Sequence, residues 1–537
     1  MTTIRDITKG LALLRQPGRD DLPINALRFD SRQVQKGDVF FAVRGTRIDG
    51  HRFIGQAIEN GARVIVREEP FPEDDAIPGV AESPVEYDAR PIQHPGQHLG
   101  TLASGASDED VFYLVVPDVN EALGIAAANY YGAPSRALKL IGVTGTNGKT
   151  TVATLLHRLF RKLGYKAGLL STIENRINDQ ILPATHTTPD ALAINRLLRE
   201  MADAGCQYGF MEVSSHALAQ RRTAGLTFAG AIFTNLSQDH LDYHRTLDNY
   251  REAKKTLFDT LPDEAFALVN ADDASGGLML AHCRAHAYRY GLERPADFSC
   301  RIARHRFDGM ELEIDGERLT TSRLGRFNAY NLLAVYAGAV LLGQPREQVR
   351  VALEDRDGAL GRIPGRFEAV RSEQGVTAII DYAHTPDALE NVLRAIRHIR
   401  DANQQIITVV GAGGDRDRTK RPHMARIAAH WSDRLILTSD NPRSEEPAAI
   451  VRDMQQGIDK ENEPKVTVIL DRRQAIETAL EMAEGRTQKQ SAEGDIVLIA
   501  GKGHETYQET KGVRRHFDDR EVVMTWMDGK GEDSGPG

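Results

Sequence analysis

Cysteine is scarce in this sequence: Cys206, Cys283 and Cys300 are the only three in 537 residues, scattered without metal-ligand spacing. That excludes a disulfide scaffold or a cysteine-based metal site and points to packed thiols in a reducing compartment. Long apolar runs are also missing; none approaches the ~20 residues a membrane-spanning helix needs. Residues 1–6 lack the apolar core of a signal peptide, so the expected location is cytoplasmic. Positive charge is not in excess. A net charge of −9 gives no electrostatic case for binding nucleic acid or an acidic membrane surface. No internal repeat is visible. What is present, 41% hydrophobic and 27% charged residues, is ordinary for a soluble globular protein, and the length suggests about three domains. A monomer is expected.

The predicted class is α/β. A smaller N-terminal α/β domain is expected over residues 1–136. There, 27–32 and 38–43 read as strands around a turn at Lys36-Gly37, 54–60 as a helix, and 62–66 and 111–116 as further strands. Residues 68–110, rich in Pro, Gly, Asp and Glu without periodicity, read as a flexible insertion. A helix over 120–131 precedes a linker at Gly132-Ala133-Pro134. The central domain, 137–364, alternates strand-like runs (209–213, 229–234, 265–269) with helix-like runs such as 190–204. This predicts a mostly parallel sheet covered on both faces. Residues 297–325 should form antiparallel hairpins with turns at Asp308-Gly309 and Asp315-Gly316, and 328–342 a helix. The C-terminal domain, 365–527, repeats the alternation with strands at 377–381, 405–410, 434–438, 466–470 and 495–500. It reads as Rossmann-like and doubly wound. Residues 528–537 read as a disordered tail.

The run Gly142-Val143-Thr144-Gly145-Thr146-Asn147-Gly148-Lys149-Thr150-Thr151 follows an apolar strand-like segment and opens a helix-like one over 152–163. Strand, glycine loop and helix in that order suit a nucleotide phosphate. Backbone N–H groups ring the anion, the helix N-terminus adds its dipole, Lys149 a point charge and Thr150 a hydroxyl for Mg²⁺. Gly142 stands one residue further from Gly148-Lys149-Thr150 than the usual phosphate-loop spacing.

Four more segments accompany this loop: Glu212-Val213-Ser214-Ser215-His216, Thr234-Asn235-Leu236-Ser237-Gln238-Asp239-His240-Leu241-Asp242-Tyr243-His244, Asp381-Tyr382-Ala383-His384-Thr385-Pro386-Asp387 and Gly501-Lys502-Gly503-His504-Glu505. Together they resemble the Mur ligases, ATP-dependent amino-acid-adding enzymes of peptidoglycan synthesis that serve cell-wall biogenesis, cell shape and division. The resemblance covers nearly the whole chain except 68–110 and the tail. It is nearest to the members that extend UDP-N-acetylmuramoyl-L-alanyl-D-glutamate (UDP-MurNAc-L-Ala-D-Glu) by its third residue. It implies that ATP phosphorylates the side-chain carboxylate of D-glutamate to an acyl phosphate, which the incoming amine attacks with loss of phosphate. Two anions must meet, so the site needs cations, positioning and exclusion of water.

The resemblance also assigns residues. Gly145, Thr146, Asn147, Gly148, Lys149, Thr150 and Thr151 would cradle ATP, with Asn328 and Asn331 at the base and Arg366 and Asp381 reaching in from the third domain. Lys149, His240 and Lys254 would be catalytic. Thr150, Glu212, His240 and Lys254, the last as a carbamate, would hold Mg²⁺; a lysine kept neutral by its site can react with CO₂ and become an anion. Without the family pattern, Glu212 reads as a surface strand end, His240 as a packed histidine, Lys254 as a solvated lysine beside Lys255, and Asn328 as a helix cap. Phe29, Ser31, Thr46, Arg47 and Ile48 would meet the uridine end of the substrate. His186, Thr187, Thr188, Ser214, Gln220 and Arg222 would meet its sugar-peptide, although the family often has Asn where this chain has His186.

The tetrapeptide Asp440-Asn441-Pro442-Arg443 resembles the form that selects meso-2,6-diaminopimelate, completed by Arg416, Gly501 and Glu505. Diaminopimelate differs from lysine by a distal carboxylate, which a planar guanidinium binds bidentately while repelling lysine's ammonium. Glu505 can pair with a substrate ammonium. A lysine-adding homologue, a folylpolyglutamate synthase-like ligase and a non-ligating nucleotide-dependent binding protein are the rival readings.

Overall fold

The computed structural model describes residues 1–14, 19–45, 48–68, 111–306, 309–354, 360–490 and 494–529. Thr46, Arg47, all of the expected insertion except Glu68, and residues 530–537 of the expected tail lie outside the described residues. Asp528 and Gly529, assigned to that tail, instead close the helix Asp519–Gly529. The described chain forms two compact units. The first comprises residues 1–135 with 190–199 and 220–226, and the second comprises 136–189, 200–219 and 227–537.

The first unit is built on four strands, Leu27–Arg28, Val39–Phe41, Val64–Arg67 and Phe112–Val115, adjacent in chain order. All pairings are parallel. The turn at Lys36-Gly37 therefore does not fold its flanking strands into a hairpin. Residues 30–32, expected as strand, leave it because Asp30 accepts from the Arg32 backbone N–H and starts the 3₁₀ turn Ser31–Gln33. Side chains of a strand alternate between faces. Val39 and Phe41 thus join a core with Ile4, Ile7, Val64, Val66 and Leu114, while Phe40 joins Val34, Ala57 and Ile65 on the opposite face. Burial on both faces explains why this strand is apolar throughout.

The second unit carries two large sheets. The first has eleven strands. Seven run parallel, in the order Phe298–Arg306, His286–Gly291, Phe266–Asn270, Gly230–Phe233, Lys139–Thr144, Tyr208–Glu212 and Ala167–Leu170. Antiparallel strands extend both ends: Gly309–Ile314 and Glu317–Thr321 as expected, and Glu174–Ile177 with Gln180–Pro183, which the sequence reading missed. The helices Lys149–Lys162 and Arg326–Leu341 contribute to its main core. The latter is buried almost all round, so its sequence carries no polar stripe.

The other sheet has six strands. Ile496–Ala500, the last of them in sequence, inserts between Thr377–Asp381 and Ile406–Val410, followed outward by Arg434–Leu437 and Val466–Val468; all are parallel. Glu368–Arg371 adds an antiparallel edge that the sequence reading did not find. Separate cores cover its two faces, around Leu389, Leu393 and Met424 and around Ile476, Leu480 and Val523. In both sheets the expected site residues follow the carboxyl ends of parallel strands: Thr144, Glu212, Phe233, Asp381, Leu437 and Ala500. Open α/β sheets bind ligands at that edge.

Candidate active site

The strand Lys139–Thr144 runs into Gly145, where φ is +144° and a Cβ would collide with Thr234 Oγ1. Gly148, at φ +87°, precedes the helix Lys149–Lys162, and a Cβ there would lie 2.5 Å from Asn331 Oδ1. Both positions demand glycine. Gly142 lies inside the strand, walled in by Phe228, Leu257 and Val213. It is a packing glycine, which accounts for its offset from the loop. Residues 234–237 pin the loop from outside. Asn147 N–H donates to Asn235 Oδ1 (2.9 Å), Thr234 Oγ1 to Asn147 O (2.6 Å) and Thr146 Oγ1 to Ser237 O (3.1 Å). Lys149 Nζ donates to the Gly145 and Thr146 carbonyls at 2.9 and 2.7 Å, and burial lowers its pKa. Thr151, next along the helix, is buried.

Glu212 is fully buried, not a surface strand end. Its Oε2 accepts from Thr150 Oγ1 (2.9 Å) and Thr172 Oγ1 (3.1 Å), and its Oε1 from the Thr172 N–H (2.7 Å). Thr150 Oγ1 also accepts from Arg366 Nη2 at 2.9 Å. His240 has φ +56° and packs its ring against His216 and Tyr250. Burial pushes its pKa down to about 2, against the pull of Asp239, 3.3 Å from its Nε2.

Lys254 is not solvated. On the helix Leu247–Asp259 it is 1% exposed, its Nζ donates to Gly145 O at 2.8 Å and lies 4.4 Å from the Tyr250 ring centre. Burial and the nearby Lys149 charge hold its pKa well below that of an ordinary lysine. Lys255 turns away to Asp259 (2.5 Å) and His282 (3.1 Å), so only Lys254 addresses the phosphate loop. Among the described residues no three His, Cys, Asp or Glu side chains converge as a preformed metal cluster. Mg²⁺ does not require one, since it is usually held through one or two carboxylates, waters and substrate phosphates. A buried carboxylate bonded to the phosphate-loop hydroxyl fits that chemistry.

Asn328 does not cap its helix. The helix begins at Arg326 after Gly325, and Asn328 Nδ2 donates to Leu324 O at 2.8 Å. Asn331 Nδ2 donates to Asn328 Oδ1 at 3.3 Å, so the two amides are linked beside Gly148. Arg366 stacks over Tyr382 at 4.6 Å. Asp381 accepts from the Phe367 N–H at 2.6 Å, and burial raises its pKa to about 6 despite Arg366. The structure adds residues that the sequence reading left unassigned. Asp387 accepts from Asn147 Nδ2 at 3.0 Å. Asp239 lies 3.5 Å from Lys420 Nζ and 3.7 Å from His384 Nε2. Burial alone would raise its pKa, but His384, His240 and Lys420 hold it well below the usual carboxylate range. Three of these stand inside the quoted motifs, yet nothing in chain order says that 234–244 meets 381–387.

Beyond Leu437 and Ala500, Asp440, Asn441, Gly501 and Glu505 come together. Gly501 has φ +116°, and a Cβ there would sit 2.6 Å from Asp440 Oδ2. Asn441 Nδ2 donates to Glu505 Oε2 at 2.7 Å. Burial and the charge of Asp440 raise the pKa of Glu505. Asp440 itself stays below the usual range, because Lys502 and Arg472 outweigh its burial. Arg443, half-buried after the buried Pro442, holds φ +52°. Two main-chain bonds to the hairpin of Tyr507–Thr510 and Val513–His516 keep it there: Arg443 N–H to Glu509 O (3.0 Å) and Lys511 N–H to Arg443 O (2.6 Å). A non-glycine residue in that conformation persists only where its surroundings over-determine it. Its Nη1 donates to Gly414 O at 2.7 Å. Arg416 is exposed on the neighbouring loop, Nη1 on Asp415 O at 3.1 Å.

Glu445 clamps the two arginine-bearing loops together. It accepts from the Asp415 N–H (2.7 Å) and from the fully buried Arg421 (2.7 and 3.0 Å). Behind this cluster, Arg472 and Asp519 form an ion pair at 2.7 Å with both side chains 0% exposed. Arg472 also donates to Ala500 O at 3.1 Å, one residue before Gly501. Arg472→Met is expected to leave Asp519 buried without its partner, costing about 3–5 kcal/mol. Calorimetry checks this; an unchanged Tm would show that the pair is dispensable.

Among the sugar-peptide residues of the second unit, Thr188 Oγ1 donates to Glu212 O (2.8 Å) and accepts from the Ser214 N–H (3.0 Å). Thr187 Oγ1 lies 3.1 Å from Thr172 Oγ1, while exposed His186 lies 3.1 Å from Thr185 Oγ1 through its Nδ1. In the first unit, Phe29 and Ile48 are exposed, Ser31 Oγ donates to Gln56 Oε1 at 2.7 Å, and Gln220 Oε1 accepts from Arg222 Nε at 3.0 Å.

Three family models match the chain: the Mur ligase family catalytic domain over residues 23–106, the Mur ligase middle domain over 143–339 and the Mur ligase glutamate ligase domain over 365–503. A UDP-N-acetylmuramoyl-L-alanyl-D-glutamate--2,6-diaminopimelate ligase of Cytophaga hutchinsonii is 48% identical over 529 residues, covering 98% of this chain and 100% of that protein. Its namesake in Bacteroides fragilis is 48% identical over 520 residues, covering 97% and 98%. A solved structure bearing the same enzyme name superposes with a TM-score of 0.63 at 31% identity, covering 99% of both chains. With the phosphate loop, the buried carboxylate beside it and the strand-end cluster in place, the chain belongs to the Mur ligase family.

Proposed function

We propose that this chain is an ATP-dependent amide-bond-forming ligase that joins meso-2,6-diaminopimelate to UDP-MurNAc-L-Ala-D-Glu in peptidoglycan precursor synthesis. The observation that carries this reading is the 48% identity, end to end, with relatives named for that reaction. Phosphate-loop N–H groups and Lys149 hold the ATP phosphates while a carboxylate oxygen of D-glutamate attacks the γ-phosphorus and ADP departs. The amine of the amino acid then attacks the acyl carbon, and phosphate leaves. Thr150, Glu212 and His240 would hold Mg²⁺, which would supply the charge that lets two anions approach. Lys254 serves as a carbamate in the same set, a role supported by its buried amine against Gly145. Asn328 and Asn331 offer paired donors and acceptors to the adenine edge. Arg443 and Arg416 take the distal carboxylate, and Glu505 the distal ammonium.

The enzyme works in the cytoplasm as a monomer on these small-molecule substrates. Boundaries at 136/137 and 364/365 complete the proposed organisation. The test is phosphate release with an amino-acid panel. Release should require both UDP-MurNAc-L-Ala-D-Glu and amino acid, and meso-diaminopimelate should outpace lysine and glutamate by at least about tenfold, the value of one good charged contact. ATP hydrolysis indifferent to the amino acid would overturn the reading in favour of a nucleotide-dependent binding protein. Equal use of lysine would favour a lysine-adding homologue, and use of glutamate on a folate a folylpolyglutamate synthase.

A further inference from the structure

Lys502 is among the largest fully buried side chains of the molecule, at 0% exposure. An ammonium group has three N–H donors. In Lys502 they meet three acceptors from three different segments. Tyr507 O, at 2.5 Å, belongs to the hairpin that holds Arg443. Asn441 Oδ1, at 3.2 Å, belongs to the loop after Arg434–Leu437. Glu505 Oε2, at 3.3 Å, belongs to the turn after Ile496–Ala500. With every donor engaged, the lysine has none left for a substrate.

The effect on Glu505 is directional. Both of its hydrogen bonds, from Lys502 Nζ and from Asn441 Nδ2, go to Oε2. Oε1 makes no hydrogen bond among the described residues. Asn441 is itself fixed at its other end, where Oδ1 also accepts from the Glu509 N–H at 2.9 Å. An unpaired buried carboxylate would take up a proton, the more so with Asp440 beside it. Lys502, at hydrogen-bond range, opposes that tendency.

We infer that Lys502 is a positioning residue for amino-acid selection: it locks Asn441, Glu505 and the Tyr507–Thr510 strand into one unit and leaves Glu505 Oε1 aimed at the ammonium of the incoming amino acid. This rests on the proposed diaminopimelate reading. The lysine itself touches no substrate. Its removal weakens the grip on the amino acid and leaves the nucleotide side alone, because its contacts all lie around the strand-end cluster.

The experiment uses the full chain and measures KM for meso-diaminopimelate and for ATP separately, with Tm as a control. Lys502→Met should raise the diaminopimelate KM about tenfold and leave the ATP KM unchanged. Glu505→Gln keeps the side-chain shape and should give the same selective rise. The double variant should be no worse than either single one, since both remove the same interaction. Equal changes in both KM values, or additive losses in the double variant, would overturn the inference and make Lys502 merely structural. If Lys502→Met does not fold, Glu505→Gln decides: an unchanged diaminopimelate KM there overturns it. A wild-type protein that fails to use diaminopimelate sinks the proposed function instead, and that outcome is visible before any variant is made.

Discussion

Lys254→Ala should reduce ligation by about 10³-fold, the scale on which removal of a fixed charge-stabilising group from an active site is felt. The argument is geometric. The Lys254 amine sits beneath the phosphate loop, bonded to Gly145 O, with no exposed surface to speak of. A cation buried there would only add to the charge of Lys149, the lysine proposed to serve the phosphates. A carbamate at the same position would reverse the sign and offer an oxygen ligand beside the phosphate loop. Alanine removes that anion without filling its space. Short carboxylates such as acetate or formate should therefore restore part of the activity, and circular dichroism should show an intact fold. Full activity in the variant, or total loss with no rescue by any small acid, would dismiss the carbamate. Lys255→Ala serves as the contrast, since its amine faces Asp259 and His282 and should leave the KM for ATP unchanged.

Arg443→Ala should raise the KM for meso-diaminopimelate about 10²-fold, equivalent to about 3 kcal/mol, as expected for losing a charge-assisted bidentate contact. The KM for ATP should stay where it is. Alanine keeps a Cβ, so the left-handed backbone at φ +52° is neither relieved nor worsened, and the two main-chain bonds to the hairpin remain. The variant thus isolates the guanidinium. Lysine, whose ammonium the guanidinium repels, should lose nothing, so discrimination between the two amino acids should collapse. Steady-state kinetics with both amino acids checks this. A parallel loss for ATP and diaminopimelate would mean that Arg443 holds the loop and does not read the substrate.

The phosphate loop was legible in the sequence because its chemistry is local. Glycines at fixed offsets, a lysine and a threonine sit within ten residues, and strand-then-helix patterning frames them. The same locality made most parallel strands of the six-stranded sheet and the central ones of the eleven-stranded sheet readable, since buried strands are short apolar runs between turns, but Ala167–Leu170 and His286–Gly291 escaped the reading. Short edge elements were not legible. Glu174–Ile177, Gln180–Pro183 and Glu368–Arg371 are half-exposed, and their mixed composition carries no clear period. The fate of residues 30–32 turned on one side-chain contact, Asp30 to the Arg32 N–H, which redirects the chain into a 3₁₀ turn.

By itself, then, the sequence determined the α/β class, the glycine-rich loop and the family pattern, because each is written in short runs of residues whose chemistry does not depend on distant partners. Tertiary structure decided what burial and long-range contact decide. It made Glu212 an interior carboxylate bonded to Thr150, separated Lys254 from Lys255, moved Gly142 out of the loop and into the sheet, and brought Asp239 to Lys420 and His384. It also placed Lys502 behind Glu505. Charge, proton affinity and side-chain direction follow from what surrounds a group in space, and residues 61 to 240 positions apart become neighbours only when the sheets have formed.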